Sequence, residues 1–309
     1  MKSVRDCNLI VILGPTASGK TRLAARLAAE MGAELISADS RQVYRGMDIG
    51  TGKDLSEYVV DGVRVPCHLI DVADPGHLFS VFEFQQQVYE CLRGMAARGK
   101  MPILVGGTGL YIESILRAYR MQPVPEDAEL REELAGRSMD ELTAMLLRLH
   151  PAVHNTTDLT SRGRLVRAIE IAAHAARRGL RDAIDRPDLA PLVIGLRWDR
   201  EVLRERIARR LRERLGQGMI EEVQRLRDAG LSWERLDEMG LEYRYVSLYL
   251  RGELAFEDMV RTLNVRIRQF AKRQDTWFRG MERRGIAIHW IEGADGDALG
   301  ALVRRELRM

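Results

Sequence analysis

The sequence predicts an α/β fold built on a parallel β-sheet, with a helical insertion in the middle of the chain. Short apolar runs alternate with helical patterns through the first third, which is typical of a parallel sheet. The alternation stops after residue 116 and resumes with an apolar run at 192–196. The predicted strands are residues 9–13, 34–37, 67–71, 101–105, 192–196 and 286–291.

A phosphate-binding loop follows the first predicted strand. Residues 14–21 read G-P-T-A-S-G-K-T, a complete G-x-x-x-x-G-K-[ST] motif between a strand and an Ala- and Leu-rich helix. Its glycines allow a tight turn whose backbone N–H groups converge on phosphate oxygens, next to the positive end of a helix. We expect Lys20 to reach the terminal phosphates and the Thr21 hydroxyl to bind Mg²⁺. The motif predicts a P-loop NTPase-like core that binds a polyphosphate.

The helical insertion separates two parts of this core. Helical patterns at 129–135, 140–150 and 164–178 follow one another without an intervening strand. We therefore predict a catalytic core of residues 1–116 and 189–309, with C-terminal helices, and a helical insertion domain of residues 117–188. The run 200–214 is dense in charges of both signs, and we interpret it as a solvated helix face.

Composition limits the class of protein. At 309 residues, with 46% hydrophobic and 30% charged residues, the chain is typical of a soluble globular protein of two domains. The net charge of +3 means that affinity for nucleic acid must come from local patches. Cys7, Cys67 and Cys91 lack metal-site spacing and are expected to be reduced thiols. We expect neither a signal peptide nor a membrane helix, hence a cytoplasmic protein.

Three polar residues follow strands whose carboxyl ends share one edge of the predicted sheet. Asp39 has two open interpretations: a base that takes a proton from an attacking nucleophile, or a helix N-cap. Asp71 is either a water-mediated Mg²⁺ partner or a loop cap, and the loop cap is slightly favoured. Thr108 lies in a G-G-T-G segment after the fourth strand. Ligand sites of parallel sheets lie at this edge.

A basic tract near the C-terminus is the second notable feature. Between residues 261 and 284 there are eight basic and two acidic residues, a local excess of +6. The opposite side of the same helical pattern carries an apolar stripe that we predict to be buried. Its members are Phe256, Val260, Leu263, Ile267 and Phe270. The basic side suits an RNA backbone or a polyphosphate, and a merely solvated face is the open alternative.

These segments together resemble the tRNA dimethylallyltransferases, which prenylate the adenosine 3′ of the anticodon, over most of the chain. Besides the phosphate loop, the matches are D-S-x-Q-x-Y-x-G-M-D-I-G-T at 39–51, V-G-G-T-G-L-Y at 105–111, R-L-x-R-A-x-E at 164–170 and R-Q-x-A-K-R-Q-x-T-W at 268–277. The second and last of the five are highly specific. The chain departs from the family at Glu242 and Gly163, where the family has glycine and glutamine, and over 156–161.

The resemblance implies transfer of a dimethylallyl group from dimethylallyl diphosphate to N6 of that adenosine, with Mg²⁺ near Thr21. Asp39 would take the N6 proton, and Lys20 and Thr108 complete the implied catalytic set. The implied diphosphate-binding residues are Gly14, Pro15, Thr16, Ala17, Ser18, Gly19, Lys20 and Thr21. The implied tRNA-binding residues are Asp39, Ser40, Arg41, Gln42, Thr108, Arg164, Arg167, Tyr243, Arg244, Arg268, Lys272, Arg273 and Gln274. The insertion would grip the anticodon stem, and we expect a monomer.

Three other functions compete with tRNA prenylation. A small-molecule kinase shares the phosphate loop and often an Asp after the second strand, but needs neither a long insertion nor a basic C-terminal helix. An adenylate prenyltransferase that uses free nucleotides would not need so large an insertion. A non-catalytic RNA-binding paralogue is suggested by the departures at Glu242 and Gly163, but Lys20, Thr21 and Asp39 are intact.

Overall fold

The computed structural model describes residues 7–149, 162–178 and 185–307. Its strands are β1 Leu9–Leu13, β2 Glu34–Ala38, β3 Val59–Val60, β4 Val63–Arg64, β5 Cys67–His68, β6 Pro102–Gly106, β7 Pro191–Arg197 and β8 His289–Glu292. Six of them form a sheet in the order β5-β2-β6-β1-β7-β8, and every pairing in it is parallel. Strands β3 and β4 form a separate antiparallel hairpin. The predicted parallel α/β sheet is confirmed.

The helices divide between two compact units. They are α1 Lys20–Met31, α2 Val81–Ala97, α3 Gly109–Leu116, α4 Ala128–Ala135, α5 Met139–Leu149, α6 Arg162–Arg178, α7 Arg200–Gly216, α8 Met219–Asp228, α9 Trp233–Glu238, α10 Leu241–Leu250, α11 Phe256–Arg283 and α12 Gly296–Leu307, with a 3-10 turn at Leu55–Tyr58. One unit comprises Met1–Tyr119 with Arg186–Met309, and the other comprises Arg120–Asp185. The predicted boundaries at 116/117 and 188/189 lie three residues from these.

The second unit has its own small core and a buried ion-pair centre. Its apolar core consists of Leu134, Leu142, Leu146, Leu165, Ile169 and Ala172. Glu170 accepts hydrogen bonds from Arg131 and Arg167 and from the backbone N–H of Asp127, so the start of α4 is tied to α6. The predicted helix at 140–150 is observed as α5, and residue 150 and segment 156–161 lie outside the described residues.

The register of the central strands brings three loops to one edge of the sheet. The strand-end residues Ala38, Gly106 and Leu13 are paired across β2, β6 and β1. Strand β1 is fully buried, as its unbroken apolar run requires in a sheet covered on both faces. A Cβ on Gly106 would lie 2.2 Å from the carbonyl oxygen of Ala38, so only glycine fits between these strands. The chain therefore leaves β1, β2 and β6 side by side.

Three elements differ from the prediction. The strand expected at 286–291 is observed as His289–Glu292, so it begins three residues later. The strand expected at 67–71 is only Cys67–His68, because Leu69 and Asp71 have φ of 62° and 55° and the chain turns away from the sheet. The buried stripe of α11 is also shifted: Phe256 and Phe270 are 40% and 39% exposed. The buried residues of α11 are Met259, Leu263, Ile267, Ala271, Gln274, Phe278, Gly280 and Met281.

Two composition-based expectations concern the whole chain. All three cysteines are free thiols, and burial raises the pKa of Cys67 to about 12 and that of Cys91 to about 11. Both groups therefore remain protonated and unreactive at neutral pH. None of the helices in the described ranges combines the length and the hydropathy needed to cross a bilayer.

A buried carboxylate ties α3 to the long helix α11. Glu113 is 1% exposed and accepts hydrogen bonds from Trp277 Nε1 at 2.9 Å and from Arg284 Nε and Nη2 at 2.6 and 2.7 Å. A bidentate guanidinium–carboxylate pair with a third donor satisfies a charge that would otherwise be costly to bury. This contact fixes α11 against the loop that follows β6.

We predict that Glu113→Gln lowers the free energy of unfolding by about 2 kcal/mol, since it removes the charge that pairs with Arg284 but keeps the shape. Urea titration measures the change. The control is Glu213→Gln, whose carboxylate is 56% exposed and pairs with Arg209 at 3.7 Å; its effect should stay within about 0.5 kcal/mol. Equal effects of both variants would show that Glu113 does not anchor α11.

Candidate active site

The segment between β1 and α1 forms the predicted phosphate loop. A Cβ on Gly14 would approach Ser18 Oγ to 3.0 Å and Leu196 Cβ to 3.2 Å, so this position needs glycine. Ala17 and Gly19 have φ of 62° and 84°, which curl the backbone just before α1 begins at Lys20. Such a turn at a helix N-terminus directs backbone N–H groups towards an anion.

Lys20 and Arg210 are two cations beside this loop, and in the described ranges neither side chain forms an ion pair. Lys20 Nζ donates to the carbonyl oxygen of Pro15 at 3.2 Å. Arg210 donates to Thr16 Oγ1 at 3.3 Å and to the carbonyl oxygen of Gly52 at 3.0 Å. An anion placed at the loop would be able to form ion pairs with both side chains.

Burial lowers the pKa of Lys20 from its usual value near 10.5 to about 8. The Asp39 carboxylate opposes this shift, and the guanidinium of Arg210 adds to it. Burial also lowers the pKa of Arg210 and raises that of Glu57, a carboxyl group close to both cations. The loop therefore lies in a region where charge is poorly solvated and an electrostatic contact with a ligand is strengthened.

Arg210 belongs to a stripe of arginines on α7 that the sequence analysis missed. Arg206, Arg210 and Arg214 are spaced by four residues and share one helix face. Arg206 Nε donates to the carbonyl oxygen of Ala17 at 2.8 Å, and its guanidinium lies 4.2 Å from the ring centre of Trp198. The interpretation of 200–214 as a solvated face is therefore wrong for this stripe. The four-residue spacing of these arginines in the sequence could have identified the shared helix face.

Gln274 fastens the phosphate loop to the segment after β6. Its Oε1 accepts from the backbone N–H of Thr16 at 2.9 Å, and its Nε2 donates to the carbonyl oxygen of Gly107 at 2.8 Å. A Cβ on Gly107 would lie 2.5 Å from that Nε2. Gln274 is 8% exposed and both ends of its amide are used. Gln274 is therefore a bridge inside the core, and its implied contact with tRNA stays a prediction.

Asp39, Ser40 and Thr108 meet where β2 and β6 end. Asp39 Oδ1 accepts from the backbone N–H of Arg41 at 3.0 Å, and Thr108 Oγ1 accepts from the backbone N–H of Ser40 at 3.0 Å. The residues after Asp39 form turns, so the helix N-cap interpretation of Asp39 is wrong. The carboxylate is half-buried and close enough to Lys20 to influence its titration. The interpretation of Asp39 as a catalytic base stays a prediction.

Glu222 holds residues 48–50 of the loop that follows β2, a role that the sequence did not predict. Its carboxylate accepts the backbone N–H groups of Asp48, Ile49 and Gly50 at 2.9, 2.7 and 2.8 Å. Tyr243 donates its hydroxyl to Glu222 at 2.7 Å and is 1% exposed. The Tyr243 side chain is therefore buried under the loop, and its implied contact with tRNA stays a prediction.

The second candidate carboxylate, Asp71, has a structural partner. The ammonium of Lys53 is fully buried and donates to Asp71, to Asp48 Oδ1 at 2.7 Å and to the carbonyl oxygen of Tyr44 at 2.8 Å. All three ammonium protons are used. Asp71 therefore braces the loop after β2, and the favoured loop-cap interpretation is closer to the observed contact than a role at Mg²⁺.

The residues near Thr21 suit a Mg²⁺ ion bound together with a diphosphate. Among the described residues, none forms a hydrogen bond with the Thr21 hydroxyl. Thr21 lies in the first turn of α1. The described ranges contain no cluster of three or more His, Cys, Asp or Glu residues that would hold a metal alone. Mg²⁺ keeps several waters and commonly takes one protein oxygen plus phosphate oxygens. The donor set fits that mode.

The remaining residues implied in tRNA contact have different environments. Lys272, Arg273 and Arg244 are exposed, and Arg268 is half-buried with no hydrogen-bond partner for its Nε among the described residues. Gln42 is buried and donates to the carbonyl oxygen of Gly52 at 3.4 Å.

Two implied tRNA contacts lie in the second unit. Arg164 is exposed on α6. Arg167 donates to Glu170 at 2.9 Å and to the carbonyl oxygen of Val124 at 2.6 Å, so its guanidinium is committed within that unit.

Comparison with known families matches most of the chain to one group of enzymes. Residues 42–281 match the family model described as IPP transferase, and residues 7–71 match that described as Isopentenyl transferase. The tRNA dimethylallyltransferase 1 of Syntrophus aciditrophicus is 57% identical over 301 residues, 97% of this chain and 99% of that protein. The tRNA dimethylallyltransferase 2 of Bacteroides fragilis is 51% identical over 289 residues, 94% of each protein.

Solved structures share the fold. The tRNA isopentenylpyrophosphate transferase of Bacillus halodurans superposes with a TM-score of 0.70 at 33% identity, over 97% of both chains. A eukaryotic dimethylallyltransferase acting on tRNA superposes with a TM-score of 0.72 at 23% identity, over 93% of this chain and 74% of that one. The second match bears on the fold alone. The predicted P-loop NTPase-like α/β core is confirmed.

The lowered pKa of Lys20 leads to a pH-dependent affinity for anions. Below pH 8 its ammonium is charged and contributes fully, and as pH rises through 8 the free protein loses this proton. We predict that the affinity for pyrophosphate, measured by calorimetry, then falls by up to about tenfold per pH unit. Dividing by the affinity of Lys20→Gln removes the titration of pyrophosphate itself. A ratio that stays constant from pH 7 to 9.5 would contradict the prediction.

Proposed function

The chain belongs to the tRNA dimethylallyltransferase family, and from this premise we propose that it transfers a dimethylallyl group from dimethylallyl diphosphate to N6 of the adenosine 3′ of the anticodon. Diphosphate is the second product. The main support is the position of two cations that form no ion pair among the described residues, Lys20 and Arg210, near a carboxylate, Asp39, at the adjoining strand end. The cations suit a negatively charged leaving group, and the carboxylate suits an amine that must lose a proton.

The leaving diphosphate is the first requirement of this chemistry. When the bond between the allylic carbon and oxygen breaks, negative charge accumulates on the diphosphate and positive charge on the allyl group. Lys20, Arg210 and the backbone N–H groups of the phosphate loop are positioned to hold the diphosphate, and they need little reorganisation because Gln274 and Arg206 fix the loop. Mg²⁺, held by Thr21 and diphosphate oxygens, would neutralise further charge on the leaving group.

The amine of adenine is the second requirement. Its N6 is a poor nucleophile, since the lone pair is delocalised into the ring, and attack leaves a proton to be removed. Asp39 is the base in our proposal, and its carboxylate is oriented by the backbone N–H of Arg41. The backbone N–H of Ser40 donates to Thr108 Oγ1, and these two residues form the wall of the site beside Asp39. The base must leave its stack to enter this site, which is less costly in an anticodon loop than in a duplex.

The RNA backbone is the third requirement. Lys272, Arg273 and Arg244 are exposed, and Arg268 has a guanidinium Nε without a protein partner among the described residues. These side chains supply the local positive charge that the near-neutral chain otherwise lacks. We propose that they contact the phosphates of the anticodon arm, together with Arg164 of the insertion, and that the protein works as a cytoplasmic monomer.

The direct test incubates purified protein, Mg²⁺ and dimethylallyl diphosphate with unmodified tRNA that carries adenosine 3′ of the anticodon. Mass spectrometry of the digested nucleosides should detect a dimethylallyl adduct on adenosine with tRNA and none with free AMP. An adduct on AMP would favour an adenylate prenyltransferase, and phosphoryl transfer from ATP would favour a small-molecule kinase. Absence of the adduct despite tRNA binding would favour a non-catalytic paralogue.

Replacement of the proposed base should separate chemistry from binding. Asp39→Asn keeps the shape and the hydrogen bond to the N–H of Arg41 but removes the basic oxygen, so we predict a kcat lower by about 10²–10⁴-fold. Single-turnover prenylation gives the rate, and calorimetry should find pyrophosphate binding essentially retained. A wild-type rate in this variant would refute the assignment of Asp39.

Replacement of two nearby residues on α11 should weaken the binding of two different ligands. Gln274→Ala leaves the backbone N–H of Thr16 and the carbonyl of Gly107 unpaired, so we predict a roughly tenfold weaker affinity for pyrophosphate. Lys272→Ala should instead weaken tRNA binding and reduce the slope of log K against log salt by about one, because one phosphate contact is lost. Calorimetry and filter binding measure the two. The same phenotype in both variants would contradict this division of α11.

A further inference from the structure

Glu242, where the chain departs from the family's glycine, has a specific partner in the structure. Its Oε1 accepts a hydrogen bond from Arg214 Nη1 at 2.9 Å, and the two side chains are 18% and 8% exposed. Arg214 is the last member of the arginine stripe on α7, and Glu242 lies in the first turn of α10. The departure is therefore tied to a buried charge.

The other donors of Arg214 bind the loop that follows β2. Nε donates to the carbonyl oxygen of Ile49 at 2.5 Å, and Nη2 donates to that of Gly50. On the opposite side of the same stretch, Glu222 accepts the N–H groups of residues 48–50. The peptide units are thus held between a guanidinium on their carbonyl side and a carboxylate on their N–H side. Without Glu242, the buried guanidinium would have only neutral acceptors among these contacts, which is a costly arrangement.

This loop leads directly to the diphosphate end of the active site. The carbonyl oxygen of Gly52, two residues further on, accepts from Arg210 Nη2 at 3.0 Å and from Gln42 Nε2 at 3.4 Å. A Cβ on Gly52 would lie 2.3 Å from Arg210 Nη2, so the guanidinium packs tightly on this peptide. The position of the loop therefore sets the direction in which Arg210 presents its remaining donors.

We propose that Arg214 and Glu242 form a matched pair of positioning residues that hold the 48–52 loop and thereby aim Arg210 at the diphosphate. In this proposal, Glu242 does not mark the loss of a tRNA contact. It supplies the negative charge that allows the largely buried Arg214 to lie at this position of α7. The identity of the diphosphate substrate rests on the proposed function, whereas binding of pyrophosphate alone does not depend on tRNA prenylation.

A double-mutant cycle tests the pair with pyrophosphate as the probe. Glu242→Gln and Arg214→Met each keep the approximate size of the side chain and remove its charge. Each should weaken pyrophosphate binding by about tenfold. The double variant should also lose about tenfold and not a hundredfold, because either single change already removes the contact between the two residues. The affinity for tRNA should change little in all three.

The matched control is Asp237→Asn. Asp237 pairs with Arg251, the C-cap residue of α10, at 3.6 Å with side chains 28% and 24% exposed. Among the described residues, Asp237 forms no hydrogen bond or ion pair with the 48–52 loop. It should bind pyrophosphate like the wild type. Thermal unfolding of every variant separates the two roles: a purely structural pair would lower the melting temperature and leave the affinity of the folded protein unchanged.

The outcomes distinguish this inference from the proposed function. Independent losses that multiply to about a hundredfold, or unchanged affinity in the single variants, would overturn the matched pair. Coupled losses in a protein that does not prenylate tRNA would uphold the pair and refute the proposed function. A wild-type protein that does not bind pyrophosphate would overturn both.

Discussion

The structure depends on positive charge that is half-buried and forms no ion pair among the described residues. Lys20 and Arg210 lie beside the loop after β1 and donate only to neutral oxygens among the described residues. Their pKa values are lowered by burial, which means that the folded protein keeps these charges at a cost. A diphosphate repays that cost when it binds. The site is therefore organised for an anion before the anion arrives, which is how electrostatic preorganisation reduces a barrier.

Most of the surrounding contacts keep these two cations and their loop in place. Three arginines on one face of α7 reach backbone carbonyls of two different loops, and Gln274 on α11 ties the phosphate loop to the end of β6. Glu222 secures the loop after β2 from its N–H side. The residues that would touch substrate are consequently few. A larger set of buried polar side chains, from helices far apart in sequence, fixes the backbone that carries them.

The sequence predicted the sheet and the phosphate loop well because both depend on local patterns. Apolar runs predicted most strands within a residue or two. The exceptions are β8, which begins three residues later than predicted, and β5, where the positive φ of Leu69 and Asp71 could not be read from residue types. The site was predicted less completely. Gln274 and Tyr243 match specific motifs, yet whether such a side chain faces RNA or a neighbouring loop is decided by packing between helices. The spacing of Arg206, Arg210 and Arg214 defined a helix face, but not what covers it.

In the proposed reaction, Lys20, Arg210 and the phosphate loop stabilise the leaving diphosphate, and the Asp39 carboxylate takes the proton of the attacking amine. A crystal structure with dimethylallyl S-thiolodiphosphate, an unreactive substrate analogue, and an anticodon stem-loop RNA tests it most directly. We expect diphosphate oxygens within hydrogen-bond distance of Lys20 Nζ and the Arg210 guanidinium, and adenine N6 within hydrogen-bond distance of the Asp39 carboxylate. A diphosphate bound away from these two cations, or an adenine whose N6 points away from Asp39, would contradict it.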